Sequence, residues 1–283
     1  MSSFNKFTNH IISNFGAKSN INVDRVLFSN ILKAPISISN IDLESKTYHE
    51  TQKANDVMLL VSSATFTKCN GYTGGGIDAN GTSLIIRNSI FDENKAEVGG
   101  AISALFCSKI TLDGNRFSSN TAQYTGALNL DSNVEKGDSN VRNSNLTGNT
   151  AVKWTGAMRM DRTGGTLQNL IFEKNSAMAC GGFFDYSCEP CTRNVIECQF
   201  LRNRAMSRGG AYCCFHIKQN VNFLQCTFID NKYETKTNSI AIDSINIKVT
   251  IDKCSFSGSK DNEIVMKFQG STVTNRDSKF DQK

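Results

Sequence analysis

Hydrophobic residues in this chain recur in short runs of period two rather than in helical stripes. Leu84 and Ile86, then Ile110 and Leu112, alternate with polar neighbours as half-buried strands do. These runs fall into a longer register. With Phe66, Phe91, Phe117, Leu146, Phe172, Phe200, Phe228 and Phe256 as anchors, the steps are 25, 26, 29, 26, 28, 28 and 28 residues. Five residues before the anchors stand Ile86, Leu112, Val141, Leu167, Val195, Phe223 and Ile251, an unbroken apolar column. Three residues after six consecutive anchors comes Asn: 94, 120, 149, 175, 203 and 231. Ala96, Ala122, Ala151, Ala177 and Ala205 follow two positions later.

A glycine corner comes next in each unit: Gly75-Gly76-Ile77, Gly100-Ala101-Ile102, Gly126-Ala127-Leu128, Gly156-Ala157-Met158, Gly182-Phe183-Phe184 and Gly210-Ala211-Tyr212. One such unit cannot bury its own apolar face; stacked units can. The register therefore predicts an all-β fold, a right-handed parallel β-helix of roughly 8–10 coils with irregular capping ends, like residues lying over like at ~4.8 Å. The Asn column should be a side-chain amide ladder at a bend. Leucine-rich repeats share this unit length and an Asn, but their spaced-leucine pattern is absent. Cys198, Cys226 and Cys254, spaced by 28, share a column with Ser89, Asn115 and Ser144, which predicts packing rather than metal binding. Residues 1–20 are expected to form an N-terminal cap, 21–259 the repeat domain with an extended loop near 44–55, and 260–283 a C-terminal cap or partial coil.

The alternation of Phe91-Asp92-Glu93-Asn94 with Gly99-Gly100-Ala101-Ile102 resembles the Phe-x-x-Asn and Gly-Gly-Ala-Ile repeats of bacterial polymorphic outer-membrane proteins. It is also similar to β-helix proteins of the pectin-lyase-like superfamily. The likeness spans about residues 60–260. It implies a surface adhesin passenger or, in the wider superfamily, a polysaccharide-active enzyme. The amino terminus shows no basic segment followed by an apolar stretch, no window is apolar enough for a membrane helix, and there is no room for a C-terminal barrel. An intracellular location is the expectation, or the cell surface if the sequence is a fragment.

Composition narrows this a little. The 283 residues are 39% hydrophobic, with only 2 Pro against 21 Gly, as a strand-rich solenoid requires. The net charge of +5 is scattered, so nucleic acid is not an expected partner; nor is membrane insertion. No phosphate-binding loop or Ser/His/Asp set can be placed in register, and no cofactor is expected.

Two outward patches could carry chemistry. Counting from the corners, Asp131 and Asp161 should stack in adjacent coils, with Arg159 and Asp185 beside them on the same face. Paired carboxylates can serve general acid/base catalysis or bind a cation. Tyr124 and Trp154, two residues before their corners, could stack on sugar rings, and Asn129 shares the outward row. The second patch is Cys188, Cys191, Cys213 and His216, a chemically acceptable zinc set that lacks the regular second pair of a zinc motif. Turn-forming Asp and packed thiols explain both patches more simply, so no catalytic residue and no metal is assigned. The expected function is a non-enzymatic module offering a rigid repeat face to a protein partner, with a glycan possible. A carbohydrate-active lyase or hydrolase using Asp131, Asp161, Asp185 and Arg159 is the alternative. An enzyme requires these carboxylates to converge in an open groove; a scaffold requires a flat face with Asp131 and Asp161 paired to Arg or Lys.

Overall fold

The computed structural model describes residues 2–9, 11–15, 20–39, 57–132, 138–186, 192–215, 220–234, 236–244, 246–266 and 270–281. The expected loop at 44–55 lies outside them. The chain is a parallel β-helix of about eight turns with almost no helix. Each turn contributes up to four strands. In one turn these are Lys109–Asp113, Arg116–Ser118, Thr121–Ala122 and Leu128–Asp131. Stacking them builds, in chain order, a return sheet, an anchor sheet, a short sheet and a corner sheet, of 10, 11, 7 and 10 strands among the described residues. Among the described residues pairing is parallel throughout, apart from Lys232–Tyr233 against Lys236–Thr237.

The anchor column is the spine of the core. Phe66 and Phe91 stack with ring centroids 4.6 Å apart, and Phe172 and Phe200 at 4.7 Å. Both ends continue the coil. Ser2–Asn5 pairs with Val26–Ser29, and Lys279–Phe280 with Ser255–Phe256, so Phe4 and Phe280 extend the stack.

Two bends per turn are made by left-handed residues, most of them not glycine. Asn88, Gly114, Asn143, Asn169, Glu197, Gln225 and Lys253, three before the anchors, have φ between 49° and 69°. Lys68, Glu93, Ser119, Gly148, Lys174, Arg202 and Asp230, two after them, have φ between 51° and 66°. Such conformations cost roughly 1–2 kcal/mol for a residue with a side chain. Hydrogen bonds made by the next residue along the chain offset that cost. The residue after the second bend is the ladder asparagine: Asn94 Nδ2 donates to Asn120 Oδ1 at 3.0 Å, and the same oxygen accepts the Asn94 backbone N–H at 3.0 Å. The pattern repeats through Asn231. The residue after the first bend forms a second ladder. Ser89 N–H donates to Asn115 Oδ1 at 2.9 Å and Asn115 N–H to Ser144 Oγ at 3.0 Å. In later coils Cys226 N–H points at Cys254 Sγ at 3.4 Å. The cysteine column is thus buried packing in which a thiol replaces a hydroxyl; burial raises the Cys226 thiol pKa.

The corner glycines serve close approach more than unusual φ. A Cβ at Gly126 would collide with the carbonyl oxygen of Gly156, and the same clash recurs at Gly75, Gly100, Gly156 and Gly181 with the next coil. This alignment corrects the sequence register in one turn. Gly181, not Gly182, stacks between Gly156 and Gly210; Gly182 takes the place of Ala157 and Ala211. Phe183 and Asp185 consequently pair with Met158 and Met160 and face inward, while Phe184 and Tyr186 face outward.

Candidate functional site

The outward face of the corner sheet gathers most of the predicted site residues. Asp131 and Asp161 are direct partners in adjacent coils. Each is held by an arginine. Arg159 Nη2 lies 2.9 Å from Asp161 Oδ2, and Arg162 binds both oxygens of Asp131, with Nε 3.2 Å from Oδ1. Asp161 Oδ1 is buried without a hydrogen bond among the described residues, with Arg162 Nε 3.9 Å away. Burial, reinforced by the charge of Asp131 and opposed by Arg159, raises the Asp161 carboxyl to about 6. Burial also raises Asp131 and lowers Arg159. Ser103, Asn129 and Asp131 are buried on this outward row, so Asn129 presents little surface to a partner.

Asp185 does not join this patch. The one-residue shift at Gly181 turns it into the core, where its two carboxylate oxygens accept from Arg193 Nη2 and Nε, both at 3.1 Å. Arg193 is fully buried, donates to the Thr163 carbonyl at 2.5 Å, and lies 5.7 Å from the Phe183 ring. Tyr212 O–H donates to Asp185 Oδ2 at 3.3 Å. The expected place of Asp185 on the outer face beside Asp131 and Asp161 is therefore corrected. Charge this deep is tolerated because it is paired and hydrogen-bonded. The Gly-Gly against Gly-Ala alignment was the available signal.

Around Arg159 the face is aromatic. Its guanidinium carbon is 4.1 Å from the Trp154 ring centroid and 5.0 Å from that of Tyr186. Trp154 meets Tyr124 edge-on with centroids 5.0 Å apart, and Lys153 Nζ sits 4.6 Å from the Tyr124 ring. Tyr186 stacks on Phe184 and on Phe215, whose ring carries Arg208 at 4.3 Å. Arg162, Phe184, Tyr186, Arg208 and Phe215 were not singled out from sequence. Arg162 lies just past its strand, where the period of two gives no orientation.

Beneath these rings lies a small outer apolar cluster of Cys180, Phe184, Cys213 and Ala241. Cys180 and Cys213 form a disulfide between neighbouring coils, their Cα atoms 6.0 Å apart. Cys213 is thereby withdrawn from the zinc set that the sequence offered but did not assign; Cys188, Cys191 and His216 lie outside the described residues. No metal-binding group of three or more His, Cys, Asp or Glu occurs among the described residues, and no described helix is long and apolar enough to cross a membrane.

Comparison with protein-family models, curated proteins and solved structures finds no match in any of the three. The architecture stands on its own geometry.

Proposed function

We propose that this β-helix is a recognition module whose outward corner-sheet face docks a protein partner. The observation carrying this reading is Arg159, held between Trp154 and Tyr186 while it neutralises Asp161. Trp, Tyr and Arg are the residue types that dominate interface energetics, and here all three are prearranged, so little side-chain entropy remains to be lost on docking. The carboxylates suit a scaffold better than an enzyme: each is tied to arginine, and the third faces the core. Resemblance to polymorphic outer-membrane repeats, carried by Phe-x-x-Asn and Gly-Gly-Ala-Ile, favours an adhesive role. The Cys180–Cys213 disulfide favours an oxidising compartment over a reducing one.

A photo-crosslinker placed at Lys153, applied in the source cell, tests this. One discrete protein adduct, lost on Arg159→Ala and Tyr186→Ala but retained on a control change at Lys109, is the expected result. Release of reducing ends or unsaturated products from a polysaccharide panel with calcium, abolished by Asp131→Asn, would instead establish the enzyme.

A further inference from the structure

The short sheet carries a second surface that the corner-sheet face does not use. Its outward row reads Thr150, Ser176, Arg204 and Lys232 in successive coils. One bend earlier stand Lys174 and Arg202. The two rows flank a groove of about 510 Å³ lined by Lys174, Arg202, Arg204 and Lys232, with Asp230 as the acid among them. Glu173, outside the lining, occupies Arg202 at 2.5 Å and Lys174 at 3.5 Å. Arg204 and Lys232 have no ion-pair partner among the described residues.

An apolar row lies next to them. Ala177 and Ala205 end their strands buried, and the residues that follow, Met178 and Met206, are exposed, as is Val152 one coil earlier. They are 46%, 70% and 61% exposed, and the Met206 N–H donates to the Met178 carbonyl at 2.9 Å, so the two side chains stand in neighbouring coils. Three exposed apolar side chains in a row, where single exposed ones are the rule, run alongside a basic groove.

We infer that this face binds the surface of an anionic phospholipid membrane, with Arg204 and Lys232 taking headgroup phosphate oxygens and Met178 and Met206 entering the interface. Charge complementarity selects the anionic lipid, and the apolar row selects a bilayer over a free oxyanion. Arg suits phosphate by its forked donors and Lys as a compact charge. Interfacial binding of this kind combines buried apolar area with attraction to anionic lipid, each surface cation contributing about a fivefold gain.

Co-sedimentation of the full chain with vesicles of phosphatidylcholine, alone or with phosphatidylserine, tests it. Arg204→Ser with Lys232→Thr, and Met178→Gln with Met206→Gln, are conservative in this fold because Ser176, Thr150 and Gln123 hold those positions in other coils; unchanged thermal melts verify folding. Expected are salt-sensitive binding to phosphatidylserine vesicles only, a loss of at least about tenfold in the charge pair, and a severalfold loss in the methionine pair. Three results overturn the inference: no binding, equal binding to both vesicles, or phosphatidylserine binding that inorganic phosphate abolishes and the methionine pair leaves untouched. The last would leave a soluble-oxyanion site.

Discussion

Asn149 is the place to test whether the amide ladder holds the coil or merely fills it. Its Oδ1 accepts from Asn120 N and Nδ2, both at 3.0 Å, and its Nδ2 donates to the Phe117 carbonyl and to Asn175 Oδ1, both at 3.0 Å. Alanine deletes all four bonds. Asn175 Oδ1 keeps the Asn149 backbone N–H at 2.9 Å, but Asn120 loses the partner of two donors in a fully buried site. Each orphaned buried donor costs about 1–3 kcal/mol, so the substitution should destabilise by ~4 kcal/mol. Asn149→Asp sharpens the test because it preserves shape. At neutral pH its second oxygen would face two acceptors, Phe117 O and Asn175 Oδ1. It should therefore be at least as damaging as alanine, and recover partly in acid, where a protonated carboxyl can donate. Equilibrium denaturation gives the global cost, and hydrogen exchange at the Asn120 amide gives the local one, which matters because coil arrays need not unfold in one step. An Asn149→Asp variant as stable as the parent at neutral pH, or an Asn120 amide exchanging no faster in the alanine variant, would refute the ladder as a source of stability.

Other consequences are as definite. Gly126→Ala drives a methyl against the Gly156 carbonyl and should prevent the coil from closing, seen as loss of soluble folded protein; Ala tolerated there would show that the corner is looser than described. Asp185→Ala leaves Arg193 buried and unpaired, a cost of about 3–5 kcal/mol, and Arg193→Met in the same chain should recover much of it in a thermal melt; no recovery would point to lost packing instead. Asp161 holds its proton up to about 6 in the folded chain, against 3.8 in the reference state. The folded state is thus the better proton binder between those values, and stability falls as pH rises through that window, by at most about 3 kcal/mol. Asp161→Asn should flatten that slope in urea titrations; an unaltered slope would assign it elsewhere.

Most of the fold was legible because it repeats. Phe91 over Phe117, and Asn94 over Asn120, are readable from spacing alone, since stacking demands like residues at like positions. The bends were not. Their left-handed residues are Glu93, Lys174 and Arg202 as often as glycine, because the hydrogen bond made by the next side chain, not the bend residue, fixes the conformation. The site was half legible. Asp131, Asp161, Trp154 and Arg159 could be placed by counting from their corners, but a single glycine miscounted at Gly181 exchanged Asp185 for Tyr186 between core and surface. That is the general hazard of a period of two: a slip of one residue inverts every side chain after it. The Cys180–Cys213 bridge joins a corner to a strand in the next coil, and no spacing within a coil announces it.

The asparagine column also gives the solenoid a direction. Backbone bonds between parallel strands leave little net dipole. The ladder amides do not alternate: from Asn94 to Asn203 each side-chain carbonyl accepts the N–H of the preceding coil, starting with Cys69, and each amide nitrogen donates to the next coil, until Asn231 ends on Ser239 Oγ. The core therefore contains an aligned row of six amide dipoles, negative toward the first coils and positive toward the last. The two ends of the row are chemically unlike: the Cys69 backbone N–H closes it on one side and the Ser239 hydroxyl on the other, both inside a stack that Phe4 and Phe280 carry further.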